Sequence, residues 1–430
     1  MSRILLGVAG GIAAYKAAEL LRRLKESGHD VTVVPTRAAL EFVGATTWAA
    51  LSGHPVSTEV FEEPASVPHV SLGRQADLVV VAPATADLLA RAATGRADDL
   101  LTNCLLTATC PVVYAPAMHT EMWRHPATQA NVATLRQRGA VVVDPASGRL
   151  TGADSGPGRL PEAVELAAIA QVVLDRPELA ARAATRDLAG LRVLISAGGT
   201  REPIDPVRFI GNASSGLMGY ALARAAVLRG AQVQLVAANV ELPAPAGAVV
   251  STARTTAELQ EQMVKYAAEA DVIVMSAAPA DFRPEAAAGQ KIKKTSADQD
   301  LDLHLVQNPD ILAGLVAERS DPQQVIVGFA AETAPDPEQL VELGRAKLAR
   351  KGCDLLVLNA VGGGRVFGQA DSEIRLLVAG ADSAADRGAD RGADDAADGR
   401  TPTQPPALAG SKDLLAHHIW DAAGKIRARR

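Results

Sequence analysis

The densest chemistry in the chain lies in the stretch RVLISAGGTREPIDPVRFIGNASSGLMG, from Arg192 to Gly219. An apolar run at 193–196 leads into Gly198, Gly199 and Thr200, and a long loop with Arg201, Pro203, Pro206 and Arg208 follows. Asn212, Ser214, Ser215 and Gly216 then precede a helix expected to start at Gly219. Small residues with free N–H groups and hydroxyls at a helix N-terminus suit a phosphate. Further on, Met275, Ser276 and Ala277 lead through Ala-Pro-Ala to Asp281, an acid at a strand's carboxyl end, and a loop with Lys291, Lys293 and Lys294 follows. Asn308, Pro309, Asp310 and Ile311 open a helix that Asn308 or Asp310 can cap. Phe329 stands where the next strand ends, and Lys347 and Lys351 share one helix face with Arg350 beside them. Lysines alone describe a solvated face. Three basic elements converging on one sheet edge, with an acid for a metal ion, instead suggest a triphosphate.

Two α/β halves must position these groups. The first opens with ILLGVAGGIAAYKAAELLRRLKESGHDVTVVPT, which reads strand, turn, helix, turn, strand. The apolar run 4–8 ends in Gly10 and Gly11, and Leu20, Leu21 and Leu24 recur at helical spacing before Gly28. Further runs at 31–34, 78–81, 112–114 and 141–143 predict a parallel sheet buried on both faces. The last three lead into the turns PATAD, PAMHTEMW and DPASG, where ligands of open parallel sheets sit. In the second half the runs at 193–196, 233–236, 272–275, 325–328 and 355–358 predict another doubly wound sheet. Alternation at Leu301, Leu303 and Leu305, and again at 374–378, reads as a separate two-stranded ribbon. The repeated order strand–glycine–helix–strand is compatible with a distant duplication. The fold expected is α/β, two Rossmann-like parallel-sheet domains at 1–187 and 188–430. Within the second, the Ala/Asp/Arg/Gly-rich segment 380–410 cannot build a core and is expected to be a disordered insertion. Ser411 should cap a final helix running from Lys412 to about Arg427, on which His417 and His418 read as surface residues rather than metal ligands.

Composition narrows the classes. A chain of 430 residues with 48% hydrophobic content is long enough for two or three well-filled domains. A net charge of −6 argues against a nucleic-acid partner. No apolar run approaches the roughly 18 residues of a membrane span. Three cysteines without metal spacing, and a strand entered at Arg3 with no leader, lead us to expect a soluble cytoplasmic protein. Gly7, Gly10 and Gly11 do not spell G-x-G-x-x-G, and Pro35-Thr36 offers no acid to a ribose, which argues against a dehydrogenase with tandem nucleotide folds. A mononucleotide such as FMN needs only a phosphate cradle and a ring pocket. Gly10, Gly11 and Thr36 can supply the cradle, although a plain strand-to-helix turn accounts for the glycines equally well.

The turns PATAD, with Pro83, Ala84 and Thr85, and PAMHTEMW, with Met118, His119, Met122 and Trp123, resemble those of the flavin-binding cysteine decarboxylases. His69 falls where that family carries its catalytic histidine, and GRLTGADSGPGRL resembles its flap. Two positions depart from the family pattern: its substrate-carboxylate asparagine is His119 here, and its flap cysteine, the proton donor, is Gly152. The resemblance implies bound FMN that oxidises a cysteinyl thiol so that CO2 can leave. His119, Asp154 or water would then donate the proton.

The second half resembles the phosphopantothenate–cysteine ligases over most of 188–374, through SAGGTREPIDPVRFIGNASSG, AAPADF, KIKK, NPDIL and VGFAAET. The family's S-S-G-K reads S-S-G-L here, with Leu217 in the lysine's place. Together the halves are similar to the fused bacterial coenzyme A biosynthesis enzymes. That resemblance implies CTP as co-substrate with Mg2+ at Asp281. It places Met275, Ser276, Ala277, Asp281, Lys291, Asn308, Pro309, Asp310, Ile311, Phe329, Lys347 and Lys351 at the nucleotide, with Asn212 handling an acyl-cytidylate. It also implies 4′-phosphopantothenate and cysteine as substrates and a homo-oligomer of trimeric decarboxylase and dimeric ligase contacts, up to a dodecamer. The departures at Gly152 and His119 admit an alternative, an active ligase fused to a decarboxylation-deficient flavin domain that serves assembly or regulation.

Overall fold

Runs of β-branched and leucine residues become the strands of two parallel sheets, each covered by helices on both faces. The computed structural model describes residues 1–58, 68–150, 154–293, 301–334, 336–360, 369, 371–380 and 405–430. It divides into one unit of residues 1–190, 227–231 and 245–247 and another of 191–226, 232–244 and 248–430.

In the first unit β1 (Arg3–Val8), β2 (Asp30–Pro35), β3 (Leu78–Ala84), β4 (Val112–Pro116) and β5 (Val141–Val142) run parallel in the order β2-β1-β3-β4-β5. Alternate residues of β1 serve opposite faces. Ile4, Leu6 and Val8 pack with Leu20, Leu21 and Leu24 of the helix Ala14–Glu26, and Leu5 packs with Leu88, Leu89 and Leu101. Burial on both sides is why these strands read as unbroken apolar runs. The chain reverses direction of winding between β1 and β3, and the crevice beyond their carboxyl ends is where such sheets bind ligands. The segment resembling a flap forms an antiparallel hairpin of β6 (Ala146–Arg149) and β7 (Ser155–Arg159). Gly152 lies outside the described residues.

The second unit begins with β8 (Arg192–Gly198), β9 (Arg201–Pro203), β10 (Phe209–Gly211), β11 (Gln232–Ala238), β12 (Val249–Ala253) and β13 (Val272–Met275). It continues with β14 (Phe282–Pro284), β15 (Leu305–Gln307), β16 (Val325–Glu332), β17 (Leu355–Ala360), β18 (Asp371–Val378) and β19 (Leu408–Ser411). The main sheet has the order β12-β11-β8-β13-β16-β17-β18-β19, parallel through β17 and antiparallel for the last two strands. Its first six strands follow the dinucleotide-fold order, with the reversal between β8 and β13.

Several expectations change here. The alternating stretches do not form a ribbon together. Leu305 opens β15, which pairs with β14, while 374–378 belongs to β18 and extends the main sheet. Ser372 and Ile374 are buried on one face of β18 and Leu377 on the other, so the strand packs on both sides within the main sheet and needs no separate ribbon. The expected insertion 380–410 is shortened at its end, because Leu408–Ser411 is a strand that zips onto β18; residues 381–404 lie outside the described residues. The helix after the phosphate-type turn spans Leu217–Leu228 and so starts ahead of Gly219. Ser411 does cap the last helix, Lys412–Ala428, by accepting the Leu414 amide at 3.2 Å. That helix presses Leu415, Ile419 and Trp420 inward, and His417 with them: it is 3% exposed, not a surface residue. Position 417 shares the buried stripe with its neighbours one helical turn along.

The long loop after β8 is folded back on itself as the β9–β10 pair. At its tip the buried Asp205 side chain accepts the amides of Val207 and Arg208, both at 2.8 Å, the amide of Ile292 at 3.1 Å, and the Arg208 guanidinium. Arg208 and the backbone donors hold the Asp205 carboxyl well below the usual carboxylate range. A depressed carboxyl stabilises the folded loop above its unfolded pKa, about 3.9, and that stabilisation is lost as pH falls through the folded value. Amide exchange at Val207, Arg208 and Ile292 should therefore be equally protected from neutrality to about pH 4 and lose protection on further acidification. Asp205→Asn should lower protection at neutral pH and abolish this acid step.

Candidate functional site

The carboxyl ends of β8, β13, β16 and β17 open into a cavity of about 600 Å³ in the second unit. Its placement follows from the strand reversal, and local chemistry holds it open. Ser276 Oγ donates to Ser196 O at 2.6 Å and Ala277 N to Ser196 Oγ at 3.1 Å, which stitches the ends of β13 and β8 together. The first turn of the Leu217–Leu228 helix lies directly on that seam. A Cβ on Gly219 would stand 2.5 Å from Ala197 Cβ and 2.8 Å from Ser276 Oγ, so only glycine fits. Ser214, Ser215 and Gly216, at the N-terminus of this helix, line the cavity.

The structure brings together most of the residues expected at a nucleotide. Asn212, Met275, Ser276, Ala277, Asp281, Asn308, Pro309, Asp310, Ile311, Phe329, Lys347 and Lys351 all line the cavity. Asn212 donates through Nδ2 to Pro279 O at 2.8 Å. Lys347 pairs with Glu332 at 2.8 Å, and Lys351 pairs with Asp310. Asp310, not Asn308, caps the following helix Ile311–Ala317 by accepting the Ala313 amide at 3.1 Å. Burial pushes the Asp310 carboxyl up, but the Lys351 hydrogen bond and the cap outweigh it and leave it below its ordinary value. Asn308 is a buried brace, with Nδ2 donating to Ala280 O at 2.8 Å and Oδ1 accepting from Arg283 at 3.0 Å.

Lys291 is not brought in. It is exposed and absent from the cavity lining, because its loop is fastened elsewhere: Asp205 accepts the Ile292 amide and Arg208 donates to the Ile292 carbonyl at 2.8 Å. Asp281 is an exposed carboxylate on the cavity, and no cluster of three metal-ligating side chains exists among the described residues. Asn359 and Lys412 line the cavity unforeseen. Lys412 is 7% exposed, and burial lowers its pKa despite the nearby Asp371. No local sequence signal marks it, since it arrives from the far side of the segment 381–404.

In the first unit the expected flavin residues assemble at the β1–β3 reversal. Ala9 N donates to Pro83 O at 3.1 Å, Thr36 N to Val8 O at 2.9 Å, and Ala117 N to Ala84 O at 3.1 Å. A Cβ on Gly10 would meet Ala38 Cβ at 2.4 Å, and one on Gly11 would lie 3.6 Å from Thr85, so the glycine turn nests between the β2 and β3 turns. The Thr36 and Thr85 hydroxyls each cap a helix, at Ala39 N and Leu88 N. Met118 N donates to Gly158 O at 2.9 Å, which seats the hairpin against this edge, and His119 is exposed beside it. His69 lies on the helix Pro68–Gln75, where its carbonyl accepts from Thr107 Oγ1 at 2.8 Å. Its Nδ1 is buried and has no hydrogen-bond partner among the described residues.

Two family models divide the chain in the same way. A family model described as flavoprotein matches residues 1–174, and the DNA/pantothenate metabolism flavoprotein C-terminal domain matches residues 188–390. The chain is 58% identical over 388 residues to the coenzyme A biosynthesis bifunctional protein CoaBC of Mycolicibacterium smegmatis, covering 89% of this chain and 92% of that one. It is 57% identical over 427 residues to the protein of that name from Mycobacterium tuberculosis, covering 98% and 96%. A crystal structure of the C-terminal domain of a CoaBC is 26% identical, covering 57% of this chain and 100% of that one at a TM-score of 0.43. The chain belongs to the CoaBC family of bifunctional coenzyme A biosynthesis proteins.

Proposed function

We propose that the second unit ligates cysteine to 4′-phosphopantothenate with consumption of CTP, and that the first decarboxylates the adduct to 4′-phosphopantetheine with FMN. The cavity that gathers Asn212, Asp281, Phe329, Lys347 and Lys351 at the β8–β13 reversal carries the reading. In the ligase a carboxylate oxygen of 4′-phosphopantothenate attacks the α-phosphorus of CTP, pyrophosphate leaves, and the cysteine amine then displaces CMP. The N-terminus of the Leu217–Leu228 helix, with Ser214, Ser215 and Gly216, suits the phosphates. Lys347 and Lys351 offset charge as it builds on phosphoryl oxygens. Mg2+ would be held by Asp281 and mainly by the phosphates themselves, as a lone carboxylate suits that ion. Lys291 keeps the nucleotide role implied by its motif as a proposal supported by resemblance alone.

The first unit fits a flavin mononucleotide. The Gly10–Gly11 turn packs between the turns bearing Thr36 and Thr85, and the buried Nδ1 of His69 has no partner among the described residues. FMN supplies the two-electron oxidation and re-reduction that let the cysteinyl carboxylate leave as CO2. Gly10, Gly11, Thr36, Pro83, Ala84, Thr85 and Met118 would hold it, His69 would move the substrate's proton, and His119 would face the substrate carboxylate. A decarboxylation-deficient first half is not favoured, since the relatives that match across both halves are bifunctional by name. The domain limits are taken as 1–187 and 188–430, and the enzyme as a cytoplasmic homo-oligomer. Exposed Val207 in the β9–β10 loop, Phe209 on β10 and Phe282 on β14 suit contacts between copies. No helix among the described residues is long and apolar enough to cross a membrane.

The test is incubation of purified protein with 4′-phosphopantothenate, cysteine, CTP and Mg2+, read by mass spectrometry. Phosphopantetheine is expected; the cysteine adduct alone would restrict the activity to the second unit, and no CTP-dependent adduct would overturn the reading. Lys412→Met keeps the stem and removes the charge from the cavity wall. It should raise the KM for CTP by about tenfold, the scale of one charged hydrogen bond, with kcat within about threefold of wild type in initial-rate assays.

A further inference from the structure

Beneath the cavity floor lies a buried carboxylate with no part in the chemistry proposed so far. Glu202 on β9 is 2% exposed, and its Oε1 accepts both the amide and the hydroxyl of Thr256, each at 2.8 Å. Thr256 and Thr200 are fully buried, and their hydroxyls lie 2.9 Å apart. Thr200 Oγ1 in turn accepts the Ala280 amide at 2.8 Å, and Asn308 Nδ2 reaches Thr256 Oγ1 at 3.3 Å.

A hydroxyl has one proton to give. Because that of Thr256 goes to Glu202, Thr256 can only accept from its other neighbours, so Thr200 donates to it. Thr200 has then committed its own proton and can only accept from Ala280. The acceptor at Glu202 thus orders the whole chain, from Ala280 N–H through Thr200 and Thr256 to the carboxylate. It also turns the Asn308 amide so that its NH2 faces Thr256 and Ala280 O and its oxygen faces Arg283. The floor segment is gripped along its length: Ala278 N by Gly198 O, Ala280 N by Thr200, and Pro279 O by Asn212 itself.

We infer that Glu202 is a positioning residue for the ligase reaction, which through Thr256 and Thr200 fixes the 278–280 floor and with it the orientation of Asn212 and Asn308. The inference rests on the ligase reading. Glu202 touches no substrate; it sets the direction of hydrogen bonds in a chain that ends at two cavity side chains.

Lys347, Lys351 and Lys412 of the cavity lie outside this chain, so breaking it should cost alignment more than nucleotide binding. In the intact protein Thr256→Val is expected to lower the kcat of ligation by about tenfold or more, the scale of misaligned reactants, and to keep the KM for CTP within about threefold. Thr256→Ser restores the hydroxyl, and Glu202→Gln keeps an oxygen able to accept both bonds; both should return kcat to within about threefold of wild type. Retention of the KM for CTP reports folding of the ligase unit in each variant, and decarboxylation of the pre-formed cysteine adduct, assayed in the same preparations, reports that of the first unit. Unchanged kcat in Thr256→Val, or a Thr256→Ser as impaired as Thr256→Val, would overturn the inference. If Thr256→Val fails to fold, Thr200→Val breaks the same chain one link nearer the floor, and unchanged kcat there overturns it equally. A wild-type protein without CTP-dependent adduct would instead defeat the ligase reading, a separate result visible before any variant is made.

Discussion

Replacing His69 by glutamine should slow CO2 release by about 10²- to 10⁴-fold, the range for a group that moves a proton in the rate-determining step. CTP-dependent formation of the cysteine adduct should continue at the wild-type rate, so the adduct accumulates. Glutamine preserves size and hydrogen bonding but cannot take up and release a proton. The structure supplies a reason to choose this histidine. Its backbone is fixed by Thr107, while its Nδ1 is buried with no partner among the described residues, a state that native proteins rarely leave unexplained. Unchanged flavin absorbance with the loss confined to CO2 release, both followed on one sample, would place His69 at the reacting atoms. Wild-type CO2 release would remove it from the proposed site.

The second large effect lies in the other unit. Gly219→Val should reduce adduct formation by at least about 10²-fold, since displacing a positioned group by an ångström costs that much. A side chain at 219 has to share space with Ala197 and Ser276, which fix the seam between β8 and β13. The helix N-terminus must lift away, and Ser214, Ser215 and Gly216 move with it. Decarboxylation of supplied adduct should be unaffected, and an unchanged cooperative thermal transition of the second unit separates this local displacement from its unfolding. Equal ligation rates in Gly219→Val and wild type would show that the helix N-terminus has no part in binding the phosphates.

The central strands of both sheets are legible in the sequence because parallel strands buried on both faces must be apolar throughout, as at Ile4, Leu5 and Leu6 or Val272, Ile273 and Val274. Edge strands obey a weaker rule. β12 has only Ala253 fully buried, so its residues carry no continuous apolar signal. β18 alternates, and its partner β19 lies beyond a long polar segment, so neither its pairing nor the arrival of Lys412 could be read locally. The two halves begin with the same strand–helix–strand unit yet diverge afterwards: β12 lies outside β11, whereas no strand flanks β2 on its outer side among the described residues. The common opening therefore reflects the shared demands of parallel winding as readily as a duplication. Of the site, the turns after strands were legible because ligands must sit there. The network of Glu202 was not, since a glutamate between Arg201 and Pro203 has no local mark of burial.

The pairing of Ile374 with Leu408 brings into register two points that are distant along the chain. Closing a loop between fixed ends costs only about 0.6 kcal/mol more for each doubling of its length. The number of residues between β18 and β19 is thus almost neutral for stability. The helix downstream of β19 is not neutral, because its Lys412 and Trp420 are built into the ligase unit. A change in the length of that connection that leaves the β18–β19 pairing intact is therefore expected to leave stability nearly unchanged. The final helix is a wall of the reaction chamber held by its strand and its buried side chains rather than by the length of its tether.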